Sequence, residues 1–340
     1  MKDLKKVLYV TGAFYPYGWA YAARVQGFVK LLTSIGYEVT VICDYISDEK
    51  YMLDSKNGEF LNSKIRVTCR NRNTINKIRI AFLSYYETCE YLNENQIDLI
   101  IMSSRSDRFV LYFKEFKKRN IPVILESCEW FHPSNWRFGK LDPRYWQFQN
   151  CWNSHFIKAD GVIAISRLLE KHYSNHISEV IRIPTIMDVK NTPFSSGSQK
   201  DIVQLAFVGG LGNGKDSLTN VFCALHMLKD KKEKFFLNIY GPDVNQLRQQ
   251  LGNKRYLLTE LVDCYKIHGF IPQEEISEIY TKCDYGIFIR PERRSSHAGF
   301  PTKLAEFMAA GTPVITNDTG DIGVYLKDEI NRVPTIPKRK

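Results

Sequence analysis

The stretch Arg290–Thr316, RPERRSSHAGFPTKLAEFMAAGTPVIT, decides how the rest of the chain is read. Just before it, Gly286-Ile287-Phe288-Ile289 is a short apolar run of strand character, and a loop rich in Arg, Ser and Gly follows. Leu304, Phe307 and Met308 are spaced to bury one face of a helix opening near Pro301-Thr302. Proline suits the first helical position, and Gly311 before Pro313 is a stop signal. Pro313–Thr316 then returns to strand. A strand, a loop and a helix N-terminus together make a place where backbone N–H groups and the positive helix end hold phosphate. Arg290 and Lys303 add full charges beside it. Glu306 lies one turn inside the helix from Thr302, where a carboxylate can accept hydrogen bonds from the two hydroxyls of a ribose.

Outward from this stretch the same strand–helix rhythm fills the chain. Val7–Val10 reads as a first buried strand, followed by the turn-rich loop Gly12–Gly18. A helix is expected from Ala20 to Ile35, with Val25, Phe28, Val29, Leu32 and Ile35 on its buried face. Further strands are expected at Val39–Ile42, Ile65–Cys69, Leu99–Met102, Val123–Leu125, Val162–Ile165 and Val180–Ile183. Residues 191–201 turn polar, with Pro, Gly and Ser, and read as a linker. Strand–helix alternation then restarts at Gln204–Val208. It continues through a helix at Asp216–Lys229, Phe235–Tyr240, Tyr265–His268 and a helix at Glu274–Lys282. Helix-length crossovers between strands mean mostly parallel, doubly wound sheets. The fold class is α/β, with an N-terminal domain over residues 1–190 and a C-terminal domain over 202–340.

Bulk properties fit this reading. The 340 residues suffice for two cores, and 44% hydrophobic with 25% charged residues is a globular balance. No apolar run reaches the roughly 18 residues of a membrane span, and the start MKDLKKVLYV lacks the apolar core of a signal peptide. The eight cysteines are scattered without Cys-x-x-Cys spacing, which argues for reduced thiols and a cytoplasmic setting. The net charge of +10 is either a solvated basic surface or an attraction to an anionic membrane face or phosphorylated substrate. Nucleic-acid-binding signatures are missing, so no nucleic-acid partner is expected.

Several other segments carry candidate chemistry. Phe207–Lys215, FVGGLGNGK, runs from a strand into a glycine-rich loop, where Gly209 and Gly210 admit a phosphate to the backbone and Lys215 neutralises it. Tight turning alone explains such a loop about equally well. Gly241 ends the next strand; Phe270 lies in the loop His268–Pro272, where core packing is an equal alternative. In the first domain, Glu126–Trp136, ESCEWFHPSNW, follows a buried strand and brings Glu129 and His132 to its carboxyl end. Both suit orienting or deprotonating a hydroxyl, although a structural role is equally open. Trp130 is read as a sugar- or lipid-facing wall, while Trp146 and Trp152 are read as packing. Arg24 is expected at the ligand cleft or on the surface. His172 and His176 are read as a solvated pair rather than a metal site, and no Asp-x-Asp is present to hold a divalent ion.

These motifs resemble the donor-binding segment of retaining GT-B glycosyltransferases, the large group that includes sucrose synthase and many bacterial polysaccharide enzymes. The matching residues are Phe300-Pro301-Thr302-Lys303, Glu306-Phe307-Met308-Ala309-Ala310-Gly311 and Thr312-Pro313-Val314-Ile315. The resemblance implies two Rossmann-like domains facing a cleft, with a nucleoside-diphosphate sugar, first of all a UDP-sugar, held by the second. The expected donor contacts are Gly209, Gly210, Lys215, Gly241, Phe270, Arg290, Gly299, Phe300, Pro301, Thr302, Lys303 and Glu306, with Gly18 in the first domain; within the glycine loop only Lys215 carries over from the family pattern. No cofactor and no metal are implied. The acceptor would be a glycan or lipid-linked hydroxyl in bacterial surface or exopolysaccharide assembly, attacked with retention, at the inner membrane face. Two departures stand out. The family's Glu-x7-Glu has Ala298 at its first position, and the arginine of its Gly-Arg-Leu loop is Gly210, for which Arg290 or Arg293 could compensate. Those departures, and a tail shorter than in related enzymes, leave open a non-catalytic nucleotide-binding protein; a sugar-nucleotide epimerase of the same fold is a further alternative. An NAD-dependent oxidoreductase is disfavoured, because no Gly-x-Gly-x-x-Gly follows the first strand.

Overall fold

The computed structural model describes residues 5–18, 20–69, 77–187, 189, 201–272 and 275–326. The expected linker segment 191–200, Glu274 and the tail from 327 lie outside the described residues. The chain divides into two compact units, Met1–Ile186 and Met187–Lys340.

In the first unit, β1 (Lys6–Val10) forms the middle of the sheet, β2 (Phe14–Tyr15) is short, and α1 spans Ala20–Ser34. Then come β3 (Glu38–Ile46), β4 (Asn57–Phe60), β5 (Ser63–Cys69), α2 (Lys77–Glu94), β6 (Leu99–Ser103), α3 (Phe109–Lys118) and β7 (Val123–Ser127). The unit closes with α4 (Pro143–Asn150), β8 (Gly161–Ala164), α5 (Arg167–Ser174) and β9 (Val180–Arg182). The sheet runs β4-β5-β3-β1-β6-β7-β8-β9, parallel except for the β4–β5 hairpin. Continuously apolar strands are buried on both faces here, as parallel sheets require; Val7, Leu8, Tyr9 and Val10 are all at most 1% exposed.

Two local expectations change. α1 ends at Ser34, and Ile35 is 62% exposed rather than on the buried face. The β4–β5 hairpin escaped the periodicity reading because its turn is Leu61-Asn62, both at positive φ (52° and 58°), without the glycine that usually marks such turns.

The second unit contains β10 (Val203–Val208), α6 (Leu218–Asp230), β11 (Phe235–Tyr240), α7 (Val244–Leu251), α8 (Tyr256–Glu260) and β12 (Tyr265–Gly269). It continues with α9 (Ile276–Thr281), β13 (Tyr285–Ile287), α10 (Arg294–Ala298), α11 (Thr302–Ala309), β14 (Val314–Ile315) and α12 (Ile322–Tyr325). Its all-parallel sheet has the order β12-β11-β10-β13-β14. The chain winds outward from β10 to β12, then returns to the other side of β10 and winds out again. The strand order therefore reverses between β10 and β13, and loops leaving their carboxyl ends diverge to open a crevice.

Candidate functional site

The loops after β10 and β13 are the two that flank this reversal. Gly209 leaves β10 with φ +132°, and Gly241 leaves β11 with φ +113°. A Cβ on Gly241 would lie 2.6 Å from the Gly209 carbonyl oxygen, so the two turns touch backbone to backbone. The loop after β13 returns through α10 to Pro301, and α11 starts at Thr302 as expected. Leu304 and Phe307 fasten α11 to the sheet, while Met308 is 38% exposed. Leu304 N–H already donates to the Pro301 carbonyl at 3.0 Å, and the N–H groups of Thr302 and Lys303 precede the helix's own ladder and mark its positive end.

Lys303, in that first turn, folds back over β10. Its Nζ lies 4.3 Å from the Phe207 ring centroid and 2.9 Å from where a Gly209 Cβ would stand. Asp216 accepts a 2.6 Å hydrogen bond from the same ammonium, with the two side chains 7% and 12% exposed. A cation over an aromatic face, paired with a buried carboxylate, is held in a single position. The glycine loop thus has a fixed charge beside it, at the place where the sequence lacks the expected arginine.

The two arginines considered for that role are otherwise occupied. Arg290 is 5% exposed and its Nη1 donates to the carbonyls of Ser296 and Gly299. Asn317 clamps its backbone on both sides. Arg290 therefore shapes the loop over α10. Arg293 donates to the Gly214 carbonyl at 2.7 Å and ties the two loops together. Lys215 is exposed at the end of the glycine loop.

Glu306 is half-buried, and Tyr280 of α9 donates its hydroxyl to Oε2. Burial pushes the Glu306 carboxyl above its usual range. Burial, and then the Glu306 charge, pushes the Tyr280 phenol well up, so it stays a donor. Phe300 is buried against Tyr325, and Pro301 is buried as well. Phe270 is 84% exposed, which excludes the core-packing alternative. His268 stacks on Tyr240 and bonds Asn238. Ala298 is fully buried, so no polar group stands at that position.

The first unit brings a different group together. Glu126, at the end of β7, is fully buried and accepts from Tyr9 at 2.8 Å, and from Tyr21, Arg24 and Cys128. Arg24 is not at a cleft or on the surface as expected. It is 2% exposed, and its Nη atoms donate to the Ile183 and Pro184 carbonyls. Gly18 packs on Phe14, whose Cβ would lie 3.0 Å from an added Cβ.

Beyond β7, Glu129 and His132 are both half-buried. His132 caps the short 3-10 turn Pro133–Asn135. Its Nδ1 accepts from the Ser134 N–H at 3.2 Å, and its own N–H donates to Asn135 Oδ1 at 2.7 Å. Trp130 is not an open wall: it stacks on Trp152, ring centroids 4.5 Å apart, inside a cluster with His172. Trp146 is 59% exposed rather than packed. His172 stacks on Trp152 at 4.4 Å and meets the His176 ring edge-on at 5.6 Å; burial, and then His176, pushes its imidazole down to about 4, so the pair is half-sheltered rather than solvated. Among the described residues no cluster of His, Cys, Asp and Glu could hold a metal ion, and no helix is long and apolar enough to cross a membrane.

Asp216 and Tyr280 are the participants that sequence reasoning missed. Asp216 adjoins the expected Lys215, but its pairing with a lysine 87 positions away leaves no local signal. Tyr280 sits inside an ordinary amphipathic helix.

Comparison with known proteins agrees with this architecture. Residues 188–339 match the family described as glycosyl transferases group 1. The amylovoran biosynthesis glycosyltransferase AmsK of Erwinia amylovora is 33% identical over 75 residues, a segment spanning 21% of this chain and only 18% of that protein. Sucrose-phosphate synthase of Thermosynechococcus elongatus superposes with a TM-score of 0.75 at 14% identity, covering 98% of this chain and 86% of that one. HepE of Anabaena, solved with UDP and glucose, gives 0.68 at 15% identity over 98% and 86%. The chain thus has the GT-B fold, and its residues 188–339 match the glycosyl transferases group 1 family.

Proposed function

We propose that this protein is a metal-independent retaining glycosyltransferase that takes a UDP-sugar in its second unit and an acceptor hydroxyl on its first. The observation that carries the reading is the Lys303 ammonium, held by Asp216 against the Gly209 turn at the positive end of α11. A diphosphate there would meet the fixed Lys303 ammonium, the exposed Lys215 at the end of the glycine loop, and helix N–H groups. Glu306 keeps one oxygen on Tyr280 and offers the other to the ribose hydroxyls. Phe270, exposed beside Gly269, suits stacking of the base.

Departure of the diphosphate builds negative charge on its oxygens, and these cations stabilise it more than the ground state, which is what accelerates the step. The acceptor attacks on the face the diphosphate leaves, so the anomeric configuration is kept. On the first unit, His132 orients a sugar or acceptor oxygen, and Glu129, three positions before it in the chain, is the carboxylate that takes the proton. Likeness to AmsK over a short segment supports a setting in polysaccharide biosynthesis; the lipid-linked acceptor and the place on the inner membrane face rest on the net charge of +10, which suits an anionic surface.

A thermal-shift panel with UDP, GDP, ADP and their sugars, without metal, tests the reading. Selective stabilisation by UDP, lost in Glu306→Ala, is expected; no shift with any nucleotide overturns it. The buried Ala298 favours a second reading, nucleotide binding without transfer. That reading is distinguished by a UDP shift with no turnover of any UDP-sugar.

A further inference from the structure

The segment Trp136–Trp146, WRFGKLDPRYW, presents large apolar side chains to water from a fixed scaffold. Phe138 is 62% exposed, Leu141 88% and Trp146 59%. The segment is not loose. Asp142, 2% exposed, caps α4 and grips Arg144 through Nε and Nη2 at 2.8 and 2.6 Å. Trp146 Nε1 donates to the Lys140 carbonyl at 2.8 Å, which fastens the helix to the 3-10 turn Gly139–Leu141. Trp136, at the other end, packs on Phe131 beneath the guanidinium of Arg144.

Exposing three large apolar groups along one fastened segment is costly for a protein that stays in water, and apolar surface of this kind marks interaction sites. The charges around them select the partner. Arg137, Lys140 and Arg144 are exposed, and the one acid in the segment, Asp142, is buried under Arg144. Aromatic and aliphatic groups interleaved with cations match the boundary of an anionic bilayer, where rings sit at headgroup depth and cations meet lipid phosphate. A second copy of the chain would bring the same positive charge and be repelled.

We infer that Phe138, Leu141 and Trp146, flanked by Arg137 and Lys140, are the site at which this protein docks on an anionic membrane surface. The inference deepens the peripheral-membrane part of the proposed function and rests on it.

The test is flotation of the full chain with vesicles of phosphatidylcholine alone or mixed equally with phosphatidylglycerol. Wild type should float with the mixed vesicles only. Phe138→Ser with Leu141→Ser should lower partitioning roughly ten-fold or more. Arg137→Ser with Lys140→Ser should lower it by roughly five-fold per cation, an effect erased by salt. An unchanged UDP thermal shift in both double variants shows that they fold and keeps the nucleotide question separate. Wild-type flotation that survives in both variants overturns the patch but leaves membrane association standing. No flotation of wild type overturns both. A dimer in light scattering that dissociates in the Phe138/Leu141 variant, without flotation, assigns the patch to a second copy and also overturns the inference.

Discussion

Replacing Lys303 by Met separates the two jobs assigned to that ammonium. Met keeps the unbranched stem over Phe207 and removes the charge, leaving the Asp216 carboxylate, 7% exposed, without its cation. Breaking a buried ion pair from one side costs roughly 3–5 kcal/mol, and the lower end applies because Lys303 retains some contact with water. A unit of about 150 residues loses roughly 2–4 °C of midpoint per kcal/mol, so its melting transition should fall by roughly 6–12 °C. Adding Asp216→Leu removes the orphaned carboxylate and should recover most of that loss, because an apolar pair of similar volume replaces a buried ionic one at little cost. Nucleotide binding should not recover. A charge-assisted hydrogen bond to phosphate is worth about 1.5–3 kcal/mol, so UDP affinity by calorimetry should stay about 10- to 150-fold down in both variants. The reasoning fails if Lys303→Met binds UDP like wild type, or if the second substitution restores affinity along with stability. Either result would make the Lys303–Asp216 pair a purely structural bridge.

Other expectations can be checked with the same two assays. Gly241→Ala should lose more than about 2 kcal/mol in denaturant unfolding, because its Cβ meets the Gly209 carbonyl at 2.6 Å and its φ of +113° is strained for alanine. Glu306 titrates with a raised folded pKa, so it costs stability above that pKa and returns it as pH falls through it. Glu306→Gln should flatten the pH slope of stability across that range. UDP affinity of the wild type should fall over the same range on acidification, as the carboxylate that accepts from ribose is lost; a pH-independent affinity speaks against the ribose contact. Arg24→Met should destabilise the first unit by roughly 3 kcal/mol by leaving Glu126 buried without its cation, with UDP affinity unchanged.

What the sequence made legible follows the range of the interactions involved. Strand and helix positions are written in spacings of two to four residues, and nearly every expected strand was found within a residue or two of its place. The departures have local causes: Ile35 continues an apolar period one step past the last helical residue, and Leu61-Asn62 turns a hairpin without glycine. The candidate site was legible wherever backbone geometry dictated the residue, as at Gly209, Gly241 and the Pro301-Thr302 helix start. It was not legible where a long side chain could choose among partners. Arg290, Lys303 and Arg24 are equally cationic in a sequence, yet burial turned Arg290 onto Ser296 and Gly299 and Arg24 onto Glu126, and only Lys303 was held beside the glycine turns. One signal could have sorted them. Glu126 closes an otherwise apolar strand, and Asp216 opens the run into an apolar helix; a carboxylate in a buried setting must find a cation. Asking which arginine or lysine satisfies each buried acid points to Arg24 for Glu126. For Asp216 it leaves a choice that only the return of α11 over β10 decides. That return is a property of the sheet's reversal between β10 and β13, which is why a candidate site was legible in the sequence while the partners of its charges were not.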